Sequence, residues 1–455
     1  MVLSEALAAA EERLSKCPLS AIIPQHQNIV CLEHNNTVGA ALQLLAKRHI
    51  LSAPLVIMPG LEDLGGGDMA GVEEAASAPQ LIGWVTVESI LRAFLSHLEE
   101  KHGKLPRNML LLMTQLEKEG PAFAEKPLIT VSGSEDRGLM FQVHADVSLL
   151  TALRESFVPA GKSAAHRLAV FDPSGSITAV ISQLDVIRHL REHPELLGDE
   201  LASATVEQLG WAQPPGTGRP GSSSGSGSGG GAPAAGSGAG RPLLTVEASL
   251  PAILAYERMA RAGVSGAPVV ADAEAAVGSG GGNGSGNMIA NLSMSDLRNI
   301  QSQHLGILAL PVGEFLALLH NTSYLGYSQR TSAQAAHPFF ASGPPTMLPP
   351  PSPSASPRRA PSSSGVGVGA AGGGMAEGGE AEGGEAAAAA VGIRMITCGP
   401  ETTLLQVLSL LSDNKVHRVY VGAPNGGQGP LLKPMGVITP TDILRLLTAG
   451  KAARK

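Results

Sequence analysis

Met435-Gly-Val-Ile-Thr439-Pro-Thr-Asp442 joins a run of apolar β-formers to a hydroxyl residue, with an aspartate three places further on. Ile443, Leu444 and Leu447 follow at helical spacing, so the segment reads as a strand turning straight into an amphipathic helix. The same transition occurs at Leu81-Ile-Gly-Trp-Val-Thr86-Val-Glu-Ser89, Ala179-Val-Ile-Ser182-Gln-Leu-Asp185 and Met288-Ile-Ala-Asn-Leu-Ser293-Met-Ser-Asp296. A strand that stops at Ser or Thr and enters a helix at once turns unpaired N–H groups and a positive dipole end outward, a seat for phosphate. The carboxylate at the next turn is placed to accept from sugar hydroxyls. The pattern equally fits a capping box, in which hydroxyl and carboxylate serve only their own helix. Both readings stand for a single copy, whereas four copies point to a repeated supersecondary unit.

Working upstream, each copy is preceded by an apolar stripe behind a hydroxyl residue: Thr37-Val-Gly-Ala-Ala-Leu, Ser148-Leu-Leu-Thr-Ala-Leu, Ser249-Leu-Pro-Ala-Ile-Leu and Thr403-Leu-Leu-Gln-Val-Leu. These predict N-capped helices, with Ser or Thr as the cap in all four. A strand follows each helix: Ala53-Pro-Leu-Val-Ile-Met, His166-Arg-Leu-Ala-Val-Phe, Ala267-Pro-Val-Val-Ala and His417-Arg-Val-Tyr-Val. The unit is β-α-β-β-α, and the fold class is α+β with small mixed sheets.

The repeats are expected at 20–100, 125–195, 242–303 and 391–448. Residues 212–241 are a Gly/Ser/Pro/Ala linker, and 328–390 run from proline-rich to Gly/Ala/Glu sequence too poor in large apolar groups to offset ordering entropy. Gly-rich insertions at 59–79, 273–287 and 422–430 fall between two strand-like runs, where surface loops are tolerated.

With 16% charged residues and a formal net charge of −7, the chain offers no broad surface for nucleic acid or an anionic membrane. Cys17, Cys31 and Cys398 form no CxxC pair, which favours a reducing compartment. The acidic, helical N-terminus resembles neither a signal nor a transit peptide, and the stretch from Ile307 to His320 is too short to span a bilayer. A soluble protein of the cytoplasm or nucleus is expected.

Two catalytic patterns carry little weight. His189-Leu-Arg-Glu192-His193 matches H-x-x-E-H, but it is the tail of a capped helix that Pro194 ends. Gly367-Val-Gly369-Ala-Ala-Gly372 has no strand before it. No nucleophile–base set or metal set is apparent, so an enzyme is not expected. Ser352-Pro and Ser356-Pro beside Arg358-Arg359 are candidate phosphorylation sites.

The four units resemble cystathionine-β-synthase (CBS) domains in two tandem pairs. Repeats one and three enter the middle strand through Ser52-Ala-Pro54 and Gly266-Ala-Pro268, and repeats two and four through His166-Arg167 and His417-Arg418. That alternation resembles the γ regulatory subunit of AMP-activated and sucrose-nonfermenting-type protein kinases, in a divergent plant or algal form. The resemblance implies two pairs facing each other in a pseudo-symmetric disk. It implies a non-catalytic, energy-sensing subunit that binds AMP, ADP or ATP and partners kinase α and β subunits. Asp185, Asp296 and Asp442 would hold ribose. Thr86, Ser182, Ser293 and Thr439 would contact phosphate, with His166, Arg167, His417 and Arg418 as cationic donors. Ser89 stands where the first repeat's aspartate belongs, and Leu51 where animal γ subunits carry a basic residue. These departures motivate the alternative: a CBS scaffold that no longer reads nucleotide.

Overall fold

The computed structural model describes residues 3–24, 27–57, 80–131, 142–144, 146–161, 164–172, 176–212, 243–271, 288–319, 395–424 and 432–449. Contacts divide the chain into Met1–Leu316 with Arg394–Lys455, and Ala317–Ile393; all four sheets lie in the first unit. The linker, the segment 328–390, the Gly367 motif and the Ser-Pro sites lie outside the described residues, as do most of the three insertions.

Helix α1 (Leu3–Lys16) precedes the repeats. Repeat one comprises β1 (Leu32–Glu33), α2 (Val38–Lys47), β2 (Ser52–Ile57), β3 (Gln80–Thr86) and α3 (Val87–His102). An additional helix, α4 (Met109–Ala124), leads to repeat two: β4 (Gln142–His144), α5 (Leu149–Ala152), β5 (Arg167–Phe171), β6 (Ile177–Ser182) and α6 (Gln183–Glu192), with a short α7 (Asp199–Ala202) after it. Repeat three has β7 (Val246–Glu247), α8 (Ala252–Ala262), β8 (Gly266–Val270) and β9 (Met288–Ser293), and ends in α9 (Val312–Leu319). Repeat four has β10 (Thr397–Cys398), α10 (Leu404–Asp413), β11 (Val419–Pro424), β12 (Leu432–Ile438) and α11 (Pro440–Thr448).

Each sheet has three strands, the first parallel to the second and the second antiparallel to the third. Register is shared as well. Ser52 pairs with Thr86, Arg167 with Ser182 and Gly266 with Ser293, so the hydroxyl that ends one strand faces the residue that opens its neighbour. All four middle strands carry a register shift at the same place, after Leu55, Val170, Val269 and Val421. The pairing also runs further than the sequence predicts: Gly422 to Pro424, read as insertion, remain in β11.

Helices join repeats one to three and two to four. On one side α6 packs on α10 and α11, and Ala6, Ala10 and Leu14 of α1 enter the same core as Leu190, Leu408 and Leu444. On the other, α3 packs on α8 and on the turn Met294–Asn299, while α4 lies along a second turn, Ser302–Ala309. Within pair one–two the sheets meet through Val56, Leu81, Trp84, Ala169 and Phe171.

Three expectations need correcting. Ser249 does not cap α8; Pro251 occupies that position and makes no side-chain bond, its fixed φ supplying the entry instead. The capped helix of repeat three is a 3-10 turn, because Ser295 and Asp296 are poor helix formers that compete for backbone bonds. The helix after Ser148 becomes π-helical from Leu153 to Phe157. Among the described residues no helix is long and apolar enough to cross a membrane, and the three cysteines are free.

Candidate functional site

The repeated hydroxyl–aspartate pairs serve their own helices first. Asp185 Oδ2 accepts from Ser182 N at 2.8 Å and from Ser182 Oγ at 2.7 Å. Asp442 Oδ2 accepts from Thr439 N at 2.9 Å and Thr439 Oγ1 at 2.6 Å, and Asp296 Oδ2 from Ser293 N at 2.7 Å. In repeat one Ser89 substitutes for the carboxylate: its Oγ accepts from Thr86 N at 3.0 Å, while Thr86 Oγ1 accepts from Ser89 N at 2.8 Å.

The expected seat of unpaired amides is therefore largely taken by the fold. The first helical N–H bonds the residue before the middle strand: Val87 to Leu51 O, Gln183 to His166 O and Met294 to Ser265 O. In repeat four that position is Pro440, which has no N–H. Ser182 and Thr439 each give their only hydroxyl proton to aspartate, so neither is left a proton to donate to phosphate. The carboxylates keep acceptor capacity on Oδ1, although that of Asp185 accepts from Arg188 at 3.1 Å.

The cationic residues behave differently. Arg167 donates to Ser52 Oγ at 2.5 Å, crossing from repeat two to repeat one. Arg418 makes the matching crossing from repeat four to repeat three, donating to Ser265 Oγ at 3.1 Å and Leu292 O at 3.3 Å. By the shared register Ser52, Arg167, Gly266 and Arg418 are equivalent positions. Each pair thus sets one long side chain against one small residue, which accounts sterically for the alternation of His-Arg with Ser-Ala-Pro and Gly-Ala-Pro.

The two His-Arg pairs converge. Burial, followed by Arg167, Arg418, His166 and Arg298, holds the His417 imidazole down at about 4. His166 is also lowered, first by burial, with Glu88 opposing and Arg167 and Arg418 assisting. Both residues are nevertheless exposed. Groups hemmed in by protein yet open to water line a hollow rather than a core. Among the described residues, none of Arg167, Arg298 and Arg418 forms an ion pair with a carboxylate. The hollow holds three permanent positive charges and two imidazoles kept neutral at pH 7. Asp296, beside Arg418 and Arg298, is raised to about 6 by burial against the pull of both arginines and the Ser293 amide.

Residues 391–449 match the CBS domain family. The other three repeats share the strand order, register and bulge of this one. No curated protein matches the chain by sequence. Among solved structures, a proposed archaeal homologue of γ-AMPK from Methanocaldococcus jannaschii is 12% identical, covering 94% of this chain and 99% of its own, with a TM-score of 0.48. A CBS domain protein from Pyrobaculum aerophilum complexed with AMP is 14% identical over 37% of this chain and 88% of its own, TM-score 0.22. The CBS domain of a bacterial CNNM/CorC family Mg2+ transporter in complex with ATP is 13% identical over 41% and 95%, TM-score 0.24.

Of the sequence-predicted residues, His166, Arg167, His417 and Arg418 gather in the hollow, with Asp185 and Asp296 near enough to act on the arginines. Thr86, Ser182, Ser293, Thr439 and Asp442 sit at their own helix starts. Sequence reasoning missed Glu88 and Arg298. Aligning Ser89-Ile-Leu91, Asp185-Val-Ile187, Asp296-Leu-Arg298 and Asp442-Ile-Leu444 exposes the second as a charge in an apolar column. His193 lies beyond the end of α6, its Nδ1 2.9 Å from Glu195 Oε1, and among the described residues no cluster suits a metal.

Proposed function

We propose that the chain is a non-catalytic regulatory subunit that binds AMP, ADP or ATP and acts within a heterotrimeric energy-sensing serine/threonine kinase, beside catalytic α and scaffold β subunits in the cytoplasm or nucleus. One arrangement carries the nucleotide part: Arg167, Arg298 and Arg418, without carboxylate ion pairs among the described residues, beside the exposed, neutral His166 and His417. Unbalanced buried charge is costly unless a counter-charge arrives, and a phosphate chain supplies it through charge-assisted bonds. Asp185, Asp296 and Asp442 would offer Oδ1 to ribose while Oδ2 keeps the cap. Ligand would regulate by binding two states of the assembly unequally. The kinase part rests on the alternating His-Arg pattern alone, since identities of 12–14% and TM-scores below 0.5 lend it no argument.

A second reading has its own support. In repeats two and four the hydroxyl proton and one carboxylate oxygen are spent on capping, and Ser89 brings no carboxylate to repeat one, which suits a scaffold indifferent to nucleotide. Affinity purification of the tagged full chain, with and without ATP in the wash, tests between them. Recovery of a kinase catalytic subunit and a nucleotide-dependent yield supports the first. Stable recovery of other proteins, unaffected by nucleotide, supports the second.

A further inference from the structure

We infer that Arg298 is a phosphate-binding residue of the hollow and makes it selective for nucleotides with more than one phosphate. The inference rests on the nucleotide-binding reading. In the other three repeats the equivalent position is a core side chain: Leu91, Ile187 and Leu444 are 5%, 0% and 0% exposed. Repeat three departs from this because its segment winds as a 3-10 turn, which rotates position 298 off the core face that an α-helix would give it.

The guanidinium is only half provided for. Nη1 donates to His49 O of repeat one at 3.1 Å, whereas Nε is buried with no partner among the described residues. A buried donor left unpaired costs free energy that a bound acceptor would recover. The bond from Arg298 to His49 lies three residues before Ser52, the partner of Arg167. The turn that carries Arg298 starts at Ser293, next to the Leu292 carbonyl that Arg418 holds, so the side chain bridges the two cationic anchors. Its pull on His417 and Asp296 agrees with that position. It does not neutralise Asp296 by direct pairing, since no ion pair of Arg298 occurs among the described residues. Arg167 and Arg418 are anchored across their own pairs, so Arg298 supplies a third cation from a different repeat. Cations set apart in this way suit an extended phosphate chain better than a single phosphate, and the planar fork of arginine can span two oxygens.

Binding of ATP, ADP, AMP and adenosine to the full chain tests this, using wild type, Arg298→Gln and Arg298→Lys. Glutamine stays polar but lacks the charge and is too short to hold His49 O; lysine keeps the charge. The expected result is about a tenfold or greater loss of ATP affinity in Arg298→Gln, a smaller loss for AMP and none for adenosine. Arg298→Lys should recover most of the ATP loss. Equal ATP affinity in wild type and Arg298→Gln would overturn the inference while leaving the nucleotide reading intact. Loss in both variants alike, for adenosine as much as ATP, would assign Arg298 a structural role and overturn it too. No binding of any nucleotide by wild type would remove the reading beneath it.

Discussion

The guanidinium of Arg418 lies against the backbone of Gly266, so close that a Cβ there would fall 0.9 Å from Nη1. Around it Arg418 bonds Ser265, Leu292 O and Asn291, and the Tyr420 hydroxyl donates to the same Asn291 side chain. One approach thereby ties repeat four to repeat three. Gly266→Ala must expel the guanidinium, at a cost of about 1–3 kcal/mol from overpacking and lost bonds. Urea unfolding measures this; an unchanged midpoint would mean the arginine relocates freely.

Gly120 makes the equivalent contact for α4. A Cβ there would sit 2.3 Å from Ser302 O, a backbone atom that cannot swing aside. Gly120→Ala should lower stability by about 1–3 kcal/mol and loosen α4 from the 302–309 turn. Hydrogen exchange across 109–124 should rise in the variant, and unchanged protection would refute the packing role.

Glu119 binds α4 to α3. Its carboxylate accepts from Lys101 at 2.7 Å, with His102 Nε2 at 3.0 Å and His97 Nε2 at 3.2 Å, and Lys126 lies 3.0 Å from His97 Nδ1. Lys101 foremost, then His102 and His97, holds the Glu119 carboxyl down at about 2 against the effect of burial. A depressed carboxylate stabilises fully above its ordinary 4.5, and that contribution fades as pH falls from there toward 2. Because Lys101 and His102 remain partly exposed, Glu119→Gln should cost only about 1–2 kcal/mol near neutrality. Acid titration of the two proteins should show their stabilities converging across that window; parallel curves would contradict the assignment.

The hollow's histidines give the opposite kind of signature. His417 ordinarily titrates near 6.5 but is held at about 4, so the unfolded chain binds the extra proton between those values. Without ligand, stability should decline as pH falls from 6.5 toward 4. A phosphate in the hollow favours the imidazolium, so nucleotide affinity should tighten as pH drops from 8 to 6. Anisotropy of a fluorescent ATP analogue across that range is the check, and a flat profile would place phosphate away from His166 and His417.

The strand-to-helix transitions were legible because period-two apolar runs and hydroxyl caps are local signals, and all four sheets repeat them. The cationic residues were legible as matched His-Arg pairs, but the reason for their alternation was not. It depends on Arg167 reaching Ser52 and Arg418 reaching Gly266 across a pair, approaches that leave no trace in periodicity. Repeat three was harder to read: Pro251 took the cap expected of Ser249, and a 3-10 turn moved Arg298 out of the apolar column. Helix α4 lies between repeats, so repetition offered no template for it. Competition between cap and ligand at Ser182 and Thr439 depends on where one proton points, which residue spacing does not encode.

Calorimetric titration of the full chain with AMP, ADP and ATP tests the central claim most directly. The account predicts saturable binding in the range of about 1–100 µM for at least one nucleotide, weakened in Arg418→Met and in Asp442→Ala. No heat from any of the three at millimolar concentration, at two temperatures, would contradict it.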